Sequence, residues 1–254
     1  MKKILLNIIY LFSKSSLISL IAKKIIDYKR NENNCEITTN GELDFILKNK
    51  DNFNIIFDVG ANVGEWTELI NKYTDNKAKI YSFEPSKQTY KTLSSNKFGD
   101  NIILKNIGLG ENNETKEFYI FGNDSTLNSA FDRGIDMDHT KEQADFEKLD
   151  DFCKKNNIDH ISFLKIDTEG NELSVLKGSE EFVKNGKIDF IQFEYGGTYI
   201  DAGFMLKDVF NFFKNTPYRI YKMKKHGLQE IDSYNHDLEN FQYSNYIAKL
   251  IKND

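Results

Sequence analysis

At 254 residues the chain can bury one large core, or one domain with an appendage. Its net charge of −5 and its interspersed lysines and acids exclude nucleic acid as a main partner. Two cysteines, Cys35 and Cys153, stand at no metal or redox spacing, which fits a reducing cytoplasm.

Residues 1–28 carry apolar clusters (Ile4, Leu5, Leu6, Ile8, Ile9, then Leu17, Ile18, Leu20, Ile21) broken by Lys14, Lys23 and Lys24. No apolar run reaches the ~20 residues that cross a bilayer, and no small-residue cleavage site follows. The segment reads as a basic amphipathic helix with two alternative fates. It packs against the main domain or a second subunit, or it lies on an anionic membrane surface. Residues 31–40 (NENNCEITTN) are polar and read as a linker. The expected division is therefore 1–40, helix and linker, and 41–254, the main domain. A short helix is expected over 41–48.

Residues 55–70, IIFDVGANVGEWTELI, hold the strongest local signal. Ile55, Ile56 and Phe57 read as a strand buried on both faces. Gly60 and Gly64 bracket a tight turn, and a helix with apolar Trp66, Leu69, Ile70 and Tyr73 follows. Strand, glycine turn and helix N-terminus together suit a nucleotide-like ligand. The spacing is not that of the dinucleotide fingerprint, and Asp58 sits two residues before Gly60. A carboxylate there repels a diphosphate and suits a ligand with a cationic centre, such as S-adenosylmethionine. The turn from Asp58 to Gly64, with Asn62 inside it, is the expected cofactor cradle.

The next strand, residues 79–83, leads to Glu84, 20 residues after Gly64. That is the separation of a carboxylate that binds ribose hydroxyls; the alternative is a cap for the helix expected over 86–97. A third strand over 101–105 delivers Asn106, read either as a contact to the adenine or ribose side or as a turn residue. Residues 116–121 read as a further strand or hairpin arm. The polar stretch 123–130 reads as a mobile surface loop or as a cover over the ligand. A helix is expected over 146–156, a fourth strand over 161–166, a helix over 172–184 and a fifth strand over 188–193. A helix over 206–213 and strands over 218–223 and 244–250 complete the series. Alternating strands and helices predict a parallel doubly wound sheet, with one of the last strands antiparallel.

DVGANVG at Asp58–Gly64, FEP at residues 83–85, LKIDTEGNELSVLKG at 164–178 and FEY at 193–195 resemble the FkbM-type family of S-adenosylmethionine-dependent methyltransferases. The resemblance covers residues 55–195, and the LKIDTEGNE stretch is its most specific part. It implies a Rossmann-like class I methyltransferase sheet of seven strands, mostly parallel. It also implies methyl transfer to a hydroxyl oxygen, with sugars and natural products prominent among the acceptors. A sugar in a surface polysaccharide or its precursor is the expected acceptor.

In such a sheet the ligand lies at the carboxyl ends of the strands. Asp58, Glu84, Asp167, Glu169 and Glu194 should converge there. Methyl transfer to a hydroxyl needs an in-line nucleophile and a base within hydrogen-bond reach. Asp167 is the first candidate for that base, with Glu169 and Glu194 beside it; for Glu169 the alternative is a helix N-terminal acid. Asp167 and Glu194 could also hold Mg²⁺, although no fixed ligand spacing calls for a metal. No zinc pattern joins His139, His160, His226 and His236, and only His226 is a candidate base. Tyr195, Tyr199, Phe204 and Phe212 read as core packing or as a sugar-stacking surface. The competing functions are a nicotinamide-dependent oxidoreductase and a non-catalytic module docking on a membrane or complex.

Overall fold

The computed structural model describes residues 2–122, 128–134 and 139–251. Two helices open the chain, α1 (Lys2–Ser13) and α2 (Ser16–Arg30), followed by α3 (Glu42–Asn49). Then come β1 (Ile55–Val59), α4 (Glu65–Tyr73), β2 (Lys79–Phe83), α5 (Lys87–Ser95) and β3 (Ile102–Lys105). A second group holds β4 (Gly108–Leu109), β5 (Glu114–Ile120) and β6 (Thr140–Glu147), and leads into α6 (Leu149–Lys155). The chain continues through β7 (Ile161–Ile166), α7 (Glu172–Gly178), α8 (Glu180–Lys184) and β8 (Ile188–Tyr195). It ends with α9 (Thr198–Ala202), α10 (Leu206–Phe213), β9 (Tyr218–Lys224), β10 (Gly227–Glu230) and β11 (Ser244–Leu250).

The main sheet has eight strands in the order β10-β9-β11-β8-β7-β1-β2-β3. From β3 to β8 every pairing is parallel. Strand β11 is antiparallel to both of its neighbours. The seven expected strands are all present; β10 is an eighth, added at the edge by a hairpin with β9. Its sequence, GLQE, is too short and polar to signal a strand.

Period-two alternation divides the core between the faces of this sheet. Phe57 and Val59 pack in the larger cluster with Leu164, Ile166 and Phe193, under α6, α7 and α10. Ile56 and Phe163 pack on the other face with Phe45 of α3 and Ile70 of α4. Asp58 and Lys165 are in register across β1 and β7, so strand alternation turns both toward α4.

The 116–121 segment is a hairpin arm. Strand β5 pairs with β6 in a three-stranded sheet, β4-β6-β5. Only Ala144 and Phe146 of β6 are buried, a weak alternation that hid the strand and made Phe146 look helical. Phe146 instead packs on Phe118, with ring centroids 6.3 Å apart, and α6 starts only at Leu149. The single helix expected over 172–184 is two, joined at Ser179. Gly178 lies there so close to the Gly110 carbonyl that a Cβ would fall 1.9 Å from its oxygen.

Among the described side chains of residues 1–28, contact with the main domain is confined to the end of α2, where Asp27 is buried and Lys225 lies over the Tyr28 ring. Leu6, Ile9, Phe12, Leu17, Leu20, Ile21 and Ile25 are all exposed, and the one buried residue of α2 is Asp27. Among the described residues no helix is long and apolar enough to cross a membrane.

Candidate active site

A cavity of about 600 Å³ opens at the carboxyl ends of β1, β2, β7 and β8. Its lower wall is the turn after β1. Gly60 and Ala61 donate to the Phe83 carbonyl at the end of β2, and the Asp167 amide donates to the Val59 carbonyl. Gly60 has φ +87°, and a Cβ on it would lie 1.8 Å from the Asp167 carbonyl oxygen. Glycine is required here because the β1 turn and the β7 end touch backbone to backbone. Gly64 serves packing: a Cβ there would strike Leu93 and Phe98, and the residue does not line the cavity.

Glu84 closes one side. Its Oε2 accepts the Asn62 amide at 3.0 Å and its Oε1 accepts the Ser86 amide at 2.9 Å. Each oxygen keeps an unshared acceptor position. Burial pushes the Glu84 carboxyl up to about 7, against the two amide bonds. The cap of α5 is the Ser86 side chain, which accepts from Thr89. Asn106 is not among the residues lining the cavity and braces the turn, donating to the Glu84 and Pro85 carbonyls. Of the two alternatives read from the sequence, these hydrogen bonds are those of a turn residue.

Asp58 is also behind the wall rather than on it. It is fully buried, accepts from Thr67 of α4 at 2.7 Å, and lies 3.7 Å from Lys165 Nζ. Burial raises its carboxyl, and Lys165 and Thr67 oppose that. Its charge reaches the cavity through Lys165, whose ammonium lies 2.9 Å from Asp167 Oδ2 and 5.3 Å from the Trp66 ring centre. Burial alone would lower the lysine, but Asp167, Asp58 and Glu42 together hold it above its usual value.

The acids expected from β7 and β8 do meet. Carboxylate oxygens of Asp167, Glu169 and Glu194 lie within 4.8 Å of one another, and all three residues line the cavity. This is the only such group among the described residues that could hold a metal ion. The three differ in proton affinity. Burial would raise Asp167, but Lys165 and a hydrogen bond from Glu194 bring it below its usual range. Burial, then the Asp167 and Glu169 charges, push Glu194 well above its range. Burial and Asp167 push Glu169 up to about 8, against the Arg133 guanidinium 3.3 Å away.

The turn that presents Glu169 is folded by Glu172. Its Oε1 accepts from the Thr168 amide and hydroxyl, at 2.8 and 2.9 Å, and its Oε2 from the Gly170 amide at 3.1 Å. Glu169 and Gly170 both take positive φ there, +52° and +103°. Glu169 precedes α7 by three residues and faces Arg133, so it is not a helix-terminal acid. Of the expected loop over 123–130, positions 123–127 lie outside the described residues. Asn128 and Ala130 form cavity wall, and buried Ser129 donates to the Glu169 carbonyl at 2.8 Å.

Sequence reasoning missed Lys165, Arg133, Glu42, Asn171 and Tyr243. Lys165 was legible, since it shares a strand face with Asp167 two positions on. Arg133 carries no local signal. His226 sits exposed in the turn between β9 and β10 and does not line the cavity, which removes it as a base. Tyr195 and Tyr199 are fully buried, with ring centres 5.0 Å apart, and Phe204 packs at a tilt on Tyr199 with ring centres 4.2 Å apart. These aromatics are core.

The residues present fit an S-adenosylmethionine-like ligand on two observations. Glu84 offers free acceptor positions at the cradle, and buried Asn171 Oδ1 and Trp66 Nε1 on the cavity wall have no hydrogen-bond partner.

Strand order, glycine turn and the acid after β2 define a Rossmann-like methyltransferase fold. The family model for the methyltransferase FkbM domain matches residues 58–220, and the chain belongs to that family. It is 28% identical over 149 residues to Methyltransferase 1 of Beauveria bassiana. That match covers 50% of this chain and 58% of the relative, so the chain spans little more than half of that protein. Its fold is similar to the crystal structure of Methyltransferase FkbM from Methylobacillus flagellatus KT, with a TM-score of 0.50 at 20% identity. That likeness covers 77% of this chain and 43% of the other.

Proposed function

We propose that the protein is an S-adenosylmethionine-dependent O-methyltransferase acting on a hydroxyl of a sugar or polysaccharide precursor. The observation that carries this reading is the meeting of two features on one cavity. The Gly60–Glu84 cradle lies beside three carboxylates of unequal proton affinity. S-adenosylmethionine, when bound, supplies an activated methyl group on a cationic sulfur. Glu84 accepts ribose hydroxyls at its free positions. The acids lining the cavity favour a cationic donor over a diphosphate, which weighs against a nicotinamide cofactor.

Glu169 takes the proton of the acceptor hydroxyl. A carboxyl near 8 is matched to base catalysis close to neutral pH. Asp167, neutralised by Lys165, stays ionised and is the weaker base, so the first choice made from sequence gives way to its neighbour. Glu194 holds its proton and donates it to Asp167, which keeps the two carboxyls together. The three carboxylates supply hard oxygen ligands suited to Mg²⁺, where a metal would lower the acceptor's pKa. Lys165 already offsets part of their charge. We place the enzyme in the cytoplasm, a reading supported by its two unpaired cysteines.

Calorimetry tests the cofactor. Binding of S-adenosylhomocysteine with no heat from NAD supports the reading, and the reverse rejects it. A methyl-donor assay over a panel of glycans tests the acceptor. Transfer only to amines would reject O-methylation, and transfer only to carboxylates would reject a hydroxyl acceptor.

A further inference from the structure

We propose that the α1–α2 pair is an in-plane anchor that docks the protein on an anionic lipid bilayer. Three observations carry it. The first is exposed hydrocarbon. Leu6, Ile9, Phe12, Leu17, Ile21 and Ile25 are each at least half exposed, and Leu17 reaches 65%. Soluble proteins rarely leave such a contiguous apolar surface uncovered. The described residues of the body do not cover it: Leu6, Ile9 and Phe12 of α1 are exposed, and Asp27 is the only buried residue of α2.

Charge is the second observation. Residues 1–30 carry Lys2, Lys3, Lys14, Lys23, Lys24, Lys29 and Arg30 against one acid, Asp27, in a chain whose net charge is −5. A second copy would bring the same cations to a symmetric contact and repel. Anionic headgroups supply the missing charge while their acyl boundary takes the apolar side chains.

Length is the third. At 12 and 15 residues the helices measure ~18 and ~22 Å. Neither crosses a ~30 Å hydrocarbon core, so both lie along the interface.

The anchor is fixed to the body at one end. Asn31 donates to the Asn40 and Met223 carbonyls at 2.6 and 3.2 Å, Lys224 donates to the Arg30 carbonyl at 2.8 Å, and Glu32 pairs with Lys222 at 2.6 Å. The segment that follows supplies Cys35 and Ile37 to the cavity wall. From Asn31 to Cys35 the chain spans at most ~14 Å, so docking would hold the cavity close to the lipid surface.

The test is sedimentation of the full chain with vesicles of phosphatidylcholine alone, or mixed with phosphatidylglycerol. Binding to the mixed vesicles should exceed that to the neutral ones by roughly tenfold and fall as salt rises. The Leu17→Gln, Ile21→Gln, Ile25→Gln triple variant should lose roughly tenfold or more of this binding. Lys23→Gln with Lys24→Gln should lose less and flatten the salt dependence. Unchanged S-adenosylhomocysteine binding and near-ultraviolet circular dichroism would show that the variants remain folded. Absence of vesicle binding, or equal binding to neutral vesicles, overturns the proposal. A lipid-free dimer dissolved by the triple variant, without vesicle binding, overturns it in favour of a second copy.

Discussion

The cavity and the N-terminal helix pair depart from the usual distribution of polar and apolar groups in opposite senses. On and behind the cavity wall, Asp58, Glu84, Lys165 and Glu172 are buried; on α1 and α2, leucine and isoleucine are exposed. The buried charges are answered from within. Lys165 faces two aspartates, Glu172 accepts three hydrogen bonds, and Glu84 accepts two amides. The exposed hydrocarbon has no answer among the described residues. Buried charge therefore reports on internal geometry and should be intolerant of change, whereas exposed hydrocarbon reports on something outside the molecule and should be tolerant.

The sharpest break would come at Gly60→Ala. The added methyl meets the Asp167 carbonyl, and φ +87° is strained for any side chain. A loss of roughly 3 kcal/mol or more is expected in urea denaturation. An unchanged midpoint would mean that the turn and the β7 end do not touch. Next is Lys165→Met, which strands Asp58 and Asp167 without their cation and should cost roughly 3–5 kcal/mol. Adding Asp58→Asn should recover part of that loss. Strict additivity of the two changes would sink the claim that Lys165 answers Asp58.

Protonation sharpens the same contrast. Folding raises Glu84 and Glu172 to about 7 and Glu169 to about 8, chiefly through burial. The folded chain thus binds protons that the unfolded chain has released above its ordinary carboxyl range near 4.5. These groups favour folding fully below that range and lose their contribution as pH rises toward 7 to 8. Each lowers stability by up to ~1.4 kcal/mol per pH unit within the window, less where cavity water screens it. Melting temperature of the ligand-free protein should fall between pH 5 and 8, and Glu169→Gln should shrink the slope. The same variant should abolish the rise of kcat/KM through about pH 8 expected for a Glu169 base. A stability profile that climbs over this range would contradict the burial of these carboxyls.

Cofactor affinity should respond more modestly. Glu84→Ala should weaken S-adenosylhomocysteine binding by ~1–3 kcal/mol in calorimetry, one charge-assisted contact. Unaltered affinity would remove Glu84 from the ribose.

Much of this geometry was legible before folding. Seven of the eight strands of the main sheet were expected from the sequence, and Asp167 and Glu194 meet because β7 and β8 are neighbours in that sheet. What the sequence concealed had physical causes. Strand β6 buries only two side chains, so its period is faint. Asp58 carries the acid of the glycine motif, yet strand alternation turns it toward α4 and away from the ligand side. Arg133 reaches Glu169 across 36 residues of chain from a loop without regular structure, and no local pattern announces such a contact. The N-terminal apolar clusters were visible, but whether they would be covered depended on tertiary packing alone.

The smallest expected effect is therefore as informative as the largest. In the lipid-free protein, replacing Leu17, Ile21 and Ile25 together by glutamine should change stability by only ~0.5 kcal/mol or less per site. Ile56→Ala, a fully buried position between the sheet and α3, should cost ~2–5 kcal/mol in the same denaturation series. The chemistry deleted is alike, and only the surroundings differ. A triple variant as damaged as Ile56→Ala would mean that α2 is already covered when the protein folds in water. Its hydrocarbon would then belong to the protein's own assembly, and no lipid surface would be needed to account for it.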